Sequence, residues 1–176
     1  KDDPEGMGLM PSESEYIVNK PVILFSERMT LQIGDHVFEL IHTPGHTKGQ
    51  IAVYLPDEKV IFVGDTIFAE CQTWFHGADP AAWLRFLELL STLEADYLIP
   101  GHGPVCSKDY LLKQSAFIRE WVAAVATGMA KGWSKEECMD KISFLDRFPV
   151  DIGQGRVGPM TQKRNANRIF DFLAGK

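Results

Sequence analysis

Three short segments of the chain place residues that can ligate a metal ion directly beside glycine. They centre on His46 in Thr-Pro-Gly-His-Thr-Lys-Gly, on Asp65 in Val-Gly-Asp-Thr, and on His102 in Pro-Gly-His-Gly. Each follows an apolar run, so each side chain is expected just beyond a strand end, in a Gly-containing turn. There the strand supplies a rigid base and glycine removes bulk beside an ion. Two imidazoles and a carboxylate suit one or two zinc ions, with iron or manganese as alternatives, and the carboxylate is the natural bridge.

The order and spacing of these segments resemble the later motifs of the metallo-β-lactamase superfamily over roughly residues 20–106. Asp65 lies 19 residues after His46, and His102 lies 37 residues after Asp65. The resemblance implies an αββα sandwich, two sheets with helices outside. It also implies that His46 binds one metal, Asp65 bridges two, and His102 binds the second.

One feature of that superfamily is absent from the chain. The motif His-x-His-x-Asp-His, which would supply further ligands to each metal, does not occur, and no two of the five histidines have His-x-His spacing. The chain also begins at Lys1 rather than Met, which indicates a processed chain or a fragment. We therefore expect a C-terminal half carrying half of a two-metal site. The remaining ligands are expected from an N-terminal half or from a second protein chain, which includes a second copy in a homodimer.

The leading hypothesis is a metal-dependent hydrolase. Metal-activated hydroxide would attack an ester, thioester, lactone or related bond of a small-molecule substrate. Asp65 is the expected catalytic residue because it would orient the nucleophile. The isolated 176-residue chain is expected to be inactive. The alternative is a catalytically inactive half-domain that serves as a weak metal-binding or interaction module. Flavin-linked relatives do not fit, since the chain is too short for a flavin domain.

Other polar and aromatic residues allow two interpretations each. His76 follows the Asp65 strand and precedes a helix, where it would either face the substrate or lie on a surface loop. Trp74 and Phe75 beside it would line an apolar pocket or pack beneath the loop. His42 is predicted to be structural, and His36 is predicted to be solvated in a hairpin.

The pattern of the chain predicts an α+β fold in which helices cover one face of a sheet. The N-terminal residues 1–15 are predicted to be a loop. The predicted order is strands, then a helix, one more strand and then helices. The first strands are expected to be antiparallel and joined by hairpins, with a turn at Gly34-Asp35 and partial alternation in Val37–His42. The predicted strands are Val22–Phe25, Met29–Ile33, Val37–His42, Ile51–Leu55, Val60–Val63 and Tyr97–Ile99, and the predicted helices are one from Asp79-Pro80, one from about Ser107 to Met129, one from the Ser134 capping box, and a last one carrying Ile169, Phe170 and Leu173.

These elements predict one domain with two parts. Residues 1–106 would form the C-terminal half of a metallo-β-lactamase-like domain, and residues 107–176 a helical extension packed on it. A second sheet would cover an apolar inner face, for which the candidates are Val22, Leu24, Val37, Leu40, Ile51, Val53, Ile61 and Val63.

The bulk composition is that of an ordinary globular protein, with 45% hydrophobic residues and a net charge of −6. The negative charge argues against nucleic acid or an anionic membrane as the main partner. No apolar run approaches the roughly 20 residues that span a bilayer, and no signal peptide is evident. The three cysteines are widely spaced and predict no disulfide framework, and Cys106 has no base placed to make it a catalytic thiol. A cytoplasmic location is expected.

Overall fold

The computed structural model describes residues 20–147 and 157–176, which form one mixed sheet and four helices. The predicted loop at residues 1–15 and most of the Pro/Gly-rich stretch before the last helix lie outside these ranges. In chain order the elements are β1 (Arg28–Ile33), β2 (His36–His42), β3 (Ile51–Leu55), β4 (Val60–Phe68), α1 (Pro80–Ser91), β5 (Tyr97–His102), β6 (Cys106–Ser107), α2 (Tyr110–Ala130), α3 (Lys135–Lys141) and α4 (Val157–Leu173).

The sheet has the strand order β1-β2-β3-β4-β5-β6. The first four strands form the predicted antiparallel meander, and Gly34 has a φ of +60° in the β1–β2 turn, which glycine adopts without strain. Strands β4 and β5 are parallel, and α1 connects them. The helix α1 begins as predicted: the Asp79 side chain accepts a hydrogen bond from the Ala82 amide, and Pro80 is its first residue.

The hydrophobic core lies between one face of the sheet and the helices. Ile61 and Leu98 are opposite each other on β4 and β5 and are fully buried. Ile118 and Trp121 of α2 and Ile169 of α4 belong to the same core cluster. The helical extension therefore shares one core with the strands.

The other face of the sheet carries a continuous row of apolar residues. Met29, Leu40, Val53, Phe62 and Ile99 are directly opposite one another on five successive strands. Phe62 is 46% exposed, and Tyr97 on the same face is 57% exposed. We call this surface the open face. Among the predicted inner-face residues, Leu40, Ile51 and Val53 lie on it, whereas Val37, Ile61 and Val63 point to the helix side.

Several predicted elements are corrected by the structure, and among them β5 extends beyond Ile99 to His102. The run Val22–Phe25 is not a strand; Val22 is 97% exposed, and a strand needs a neighbour to pair its backbone groups. The long helix begins at Tyr110 rather than Ser107, because residues 106 and 107 pair with β5 instead. Strand β4 continues beyond Val63 to Phe68. In the described part of the chain, no helix is long and apolar enough to cross a membrane.

Candidate metal centre

The structure brings His46, Asp65 and His102 together. Asp65 Oδ2 lies 3.5 Å from His46 Nε2, and Asp65 Oδ1 lies 3.7 Å from His102 Nε2. Each oxygen of the carboxylate thus faces a different imidazole. The side chain of His46 is 13% exposed, that of His102 is 29% exposed and that of Asp65 is 39% exposed. The carboxylate lies between two imidazole rings that are largely shielded from solvent, and it is itself partly exposed.

Two of the three residues lie on strands, whereas all three were predicted just beyond strand ends. Asp65 is inside β4, directly after Gly64, whose φ is +52°. The pairing of β4 with β5 shifts register on both sides of Gly64, so the strand is irregular where Asp65 projects. His102 is the last residue of β5, and His46 lies in the loop between β2 and β3. The parallel pair therefore sets Asp65 and His102 at one end of the sheet.

The ring of His46 is oriented by a backbone carbonyl. Its Nδ1 lies 2.9 Å from the Trp74 oxygen, and because a carbonyl only accepts, Nδ1 carries the hydrogen. In the neutral ring Nε2 therefore keeps its lone pair, on the side of Asp65. Burial lowers the pKa of His46, which is partly opposed by Asp65 and by the Trp74 bond, while His102 and His76 lower it further. A neutral imidazole is the form that ligates a metal.

Aromatic rings fix the two histidines relative to each other. Phe68 stacks on His102 with ring centroids 4.9 Å apart and planes 4° apart, and its centroid is 5.5 Å from that of His46. Trp83 of α1 packs against the edge of His46 at 5.5 Å. The indole N–H of Trp83 donates to the Thr66 carbonyl at 2.9 Å. The helix α1 thus holds both the His46 loop and the backbone beside Asp65.

Two glycines are required by close approach at this site. A Cβ on Gly101 would lie 2.0 Å from Asp65 Oδ1, and a Cβ on Gly45 would lie 2.6 Å from the Trp83 Cα. Both distances are far below any real contact. Glycine before His46 and before His102 therefore has a steric reason, and the space that Gly101 leaves is taken by the Asp65 carboxylate.

The ligand atoms of the three residues form two separate nitrogen–oxygen pairs, one on each side of the Asp65 carboxylate. Two donors bound to one tetrahedral zinc at about 2.0–2.1 Å are separated by roughly 3.3–3.4 Å. The two nitrogen–oxygen distances are a few tenths of an ångström longer and involve different oxygens. Within residues 20–147 and 157–176, no group of three or more His, Cys, Asp or Glu side chains is arranged to hold a metal ion. The three residues converge on the carboxylate, so each ion would receive one imidazole and one oxygen from the described residues.

The other residues singled out in the sequence have different environments. His76 is exposed on the loop between β4 and α1, close enough to lower the pKa of His46. Phe75 is fully buried and packs against Trp83 and Trp121, so it belongs to the core rather than to a pocket. The two ring nitrogens of His42 lie 2.9 and 2.8 Å from the carbonyls of residues 26 and 48, a structural arrangement. His36 is exposed and pairs with Glu58.

The side chains that hold the loop of residues 69–79 were not predicted from the sequence. Gln114 of α2 accepts a hydrogen bond from the Phe68 amide and donates to the Thr73 hydroxyl. Asn165 of α4 binds the backbone of residues 73 and 75. A signal was present, because Asn165 precedes the buried Ile169 by four residues and therefore shares its helix face. The apolar periodicity that predicts the buried face of a helix does not identify a buried amide on that face.

Comparison with known protein families identifies the superfamily to which the chain belongs. The sequence model of the metallo-beta-lactamase superfamily matches residues 2–102, a stretch that includes all three of His46, Asp65 and His102. The chain belongs to this superfamily. In solved structures, its fold is similar to that of a metallo-beta-lactamase family protein from Thermus thermophilus, with a TM-score of 0.63 and 18% identity, over 89% of this chain and 50% of that one. A metallo-beta-lactamase from Pontibacter korlensis is 25% identical, with a TM-score of 0.52, over 57% of this chain and 50% of that one.

Curated relatives of this superfamily member are hydroxyacylglutathione hydrolases. That of Brucella ovis is 41% identical over 80 residues, which are 45% of this chain and 29% of the relative, and that of Brucella suis biovar 1 has the same values. The matched stretch thus spans less than a third of the length of these relatives.

Proposed function

We propose that the chain carries half of the metal centre of a metal-dependent hydrolase. The observation that carries this proposal is the Asp65 carboxylate, which presents one oxygen to His46 and the other to His102. Membership in the superfamily and the hydrolase names of the relatives support it. Zinc is the metal that the donor set suits best, with iron or manganese as alternatives.

Each residue would have a defined task in that reaction. When bound, zinc lowers the pKa of water so that hydroxide is available near neutral pH. His46 and His102 would each offer a neutral Nε2, and the Trp74 carbonyl keeps the first of these rings in the correct tautomer. Asp65 would hold both ions through its two carboxylate oxygens and orient the attacking hydroxide. His76, on the exposed rim, would contact the substrate.

The substrate proposed is an acyl thioester, with esters and lactones as further candidates. The relatives are named for hydroxyacylglutathione, in which the acyl group is joined to a thiol. A thioester carbonyl is attacked by hydroxide as an ester is, and the thiolate leaves readily. Catalytic zinc sites generally have three protein ligands, so further donors are required from an N-terminal half or a second chain.

The test is the hydrolysis of an S-acyl glutathione, an aryl ester and a lactone by the whole protein loaded with zinc. We expect His46→Ala and His102→Ala each to lower kcat/KM by more than about 100-fold, because losing even an outer partner of a ligand costs about 10–100-fold. His36→Ala is the matched control, since it removes an exposed imidazole that pairs with Glu58 rather than with Asp65. Full activity in His102→Ala would refute the proposed function.

The open face favours a second candidate, a half-domain that functions by association. An exposed apolar surface of this kind usually marks an interaction site. The proposed occupant is the second sheet of the sandwich, supplied by the N-terminal half or by a second copy of the chain. In a catalytically inactive module, substitution of Asp65 would leave this association unchanged.

Association through the open face can be measured by sedimentation of the 176-residue chain. Burial of a phenylalanine is worth about 1.5–3 kcal/mol, so Phe62→Ser is expected to weaken association roughly 10–100-fold. Leu112→Ser is the control, because Leu112 is exposed on α2, away from the sheet. A monodisperse monomer with no second polypeptide, or equal effects of both substitutions, would contradict this account.

A further inference from the structure

The buried face of α4 is unusually polar. Its buried residues include Thr161, Gln162 and Asn165 together with Ala166 and Ile169. Burying a side-chain amide costs free energy unless the amide is hydrogen-bonded. The partners of the buried amides on α4 therefore indicate what these amides do.

Asn165 binds two successive peptide groups of the loop that carries Trp74. Its Oδ1 accepts from the Phe75 amide at 2.9 Å, and its Nδ2 donates to the Thr73 carbonyl at 2.8 Å. All of these groups are buried. The two bonds fix the orientation of the chain on both sides of Trp74.

The peptide group between Trp74 and Phe75 links Asn165 to His46. Its N–H donates to Asn165, and its C=O accepts from His46 Nδ1 at 2.9 Å. A trans peptide is planar, with its C=O and N–H pointing in opposite directions. Fixing the N–H on the α4 side therefore fixes the direction of the oxygen on the His46 side. Hydrogen bonds in such a series also polarise one another.

The neighbouring amide of α4 does not take part in this series. Gln162 accepts from the Phe144 amide at 2.7 Å and donates to the Gln72 side chain at 2.8 Å. It is as buried as Asn165 and lies one turn earlier on the same helix. Its bonds do not involve the peptide that faces His46, so it provides a matched control for the loss of a buried amide.

We propose that Asn165 is a positioning residue for His46: through the Trp74–Phe75 peptide it holds the imidazole in the Nδ1–H tautomer with Nε2 directed at Asp65. The consequence for metal binding rests on the proposed function, in which His46 is a ligand. The tautomer of His46 does not depend on the proposed function, because it is a property of the metal-free protein.

The first measurement is the ¹⁵N NMR spectrum of His46 in the whole metal-free protein, at a pH where the imidazole is neutral. The wild-type protein is expected to show the Nδ1–H tautomer. Asn165→Ala should shift the ring to a mixture of tautomers, and Gln162→Ala should leave it unchanged. A wild-type ring with hydrogen on Nε2 overturns the proposal even if every variant fails to fold.

The second measurement is zinc affinity by competition with a chelator. Asn165→Ala is expected to weaken binding roughly 10–100-fold, the usual effect of removing an outer partner of a ligating histidine. Asn165→Asp keeps the acceptor for the Phe75 amide and should retain more affinity than Asn165→Ala. Equal losses in Asn165→Ala and Gln162→Ala would show a general effect on stability and overturn the proposal.

The two proposals fail in different ways. If Asn165→Ala changes the tautomer while His46→Ala leaves hydrolysis intact, the positioning role stands and the proposed function does not. If His46→Ala abolishes hydrolysis while Asn165→Ala leaves the tautomer unchanged, the proposed function stands and the positioning role is wrong.

Discussion

Asp65→Asn is expected to lower kcat/KM of the zinc-loaded protein by more than about 100-fold and to reduce the number of ions retained after dialysis. An amide keeps the shape of the carboxylate but presents one oxygen, where Asp65 presents one to each histidine. Loss of an outer partner of a ligand already costs about 10–100-fold, so loss of the bridge should cost more. Activity assays and elemental analysis together measure the two effects.

The control for this substitution is Asp35→Asn, the same change in the exposed β1–β2 turn. It should leave both activity and ion content unchanged. Thermal unfolding of metal-free Asp65→Asn should resemble that of the wild type, because the Asp65 side chain is partly exposed. Two ions retained per chain in Asp65→Asn would exclude the bridging role.

Gly101→Ala is expected to reduce both stability and zinc affinity. The added methyl group would lie 2.0 Å from Asp65 Oδ1 and 2.9 Å from the backbone of residues 64 and 65, so β4 or the carboxylate must move. Inserting a methyl group into a packed site costs about 1–3 kcal/mol in the free energy of unfolding. A displacement of about 1 Å at a catalytic group can cost about 100-fold in rate. Denaturant unfolding measures the loss of stability, and zinc titration measures the loss of affinity.

Gly49→Ala serves as the comparison, since a Cβ there meets nothing within 4 Å and Gly49 lies near His46 in sequence. It should leave stability and affinity near those of the wild type. If Gly101→Ala behaves like Gly49→Ala, the space beside Asp65 is not needed and the packing described for this centre is wrong.

The parts of the fold that the sequence predicted are those with local signals. The Gly34 turn, the partial alternation of β2, and the Asp79–Pro80 start of α1 each depend on residues adjacent in the chain. The run Val22–Phe25 has the composition of a strand, but composition does not supply a neighbour. This wrong prediction shows that a strand forms only where a neighbouring strand can pair with its backbone groups.

The candidate metal centre was likewise predictable only where its signals are local in the sequence. His46, Asp65 and His102 could be predicted because each is surrounded by a motif. The support of His46 could not, because Trp74 is 28 residues from it and Asn165 is 90 residues from Phe75. No local pattern encodes a hydrogen bond across such separations, and only the packing of α4 against the loop creates it.

The parallel pairing of β4 with β5 also determines when the centre can exist during folding. Parallel neighbours require a crossover, here through α1, and the chain between Asp65 and His102 must fold back before their strands meet. Closing a loop of this length costs about 3 kcal/mol of chain entropy. A collapsed chain in which the antiparallel meander has formed but the crossover has not would still hold these two residues apart. The approach of Asp65 to His102 therefore reports completed tertiary structure, and an ion held by both residues would stabilise the pairing of β4 with β5.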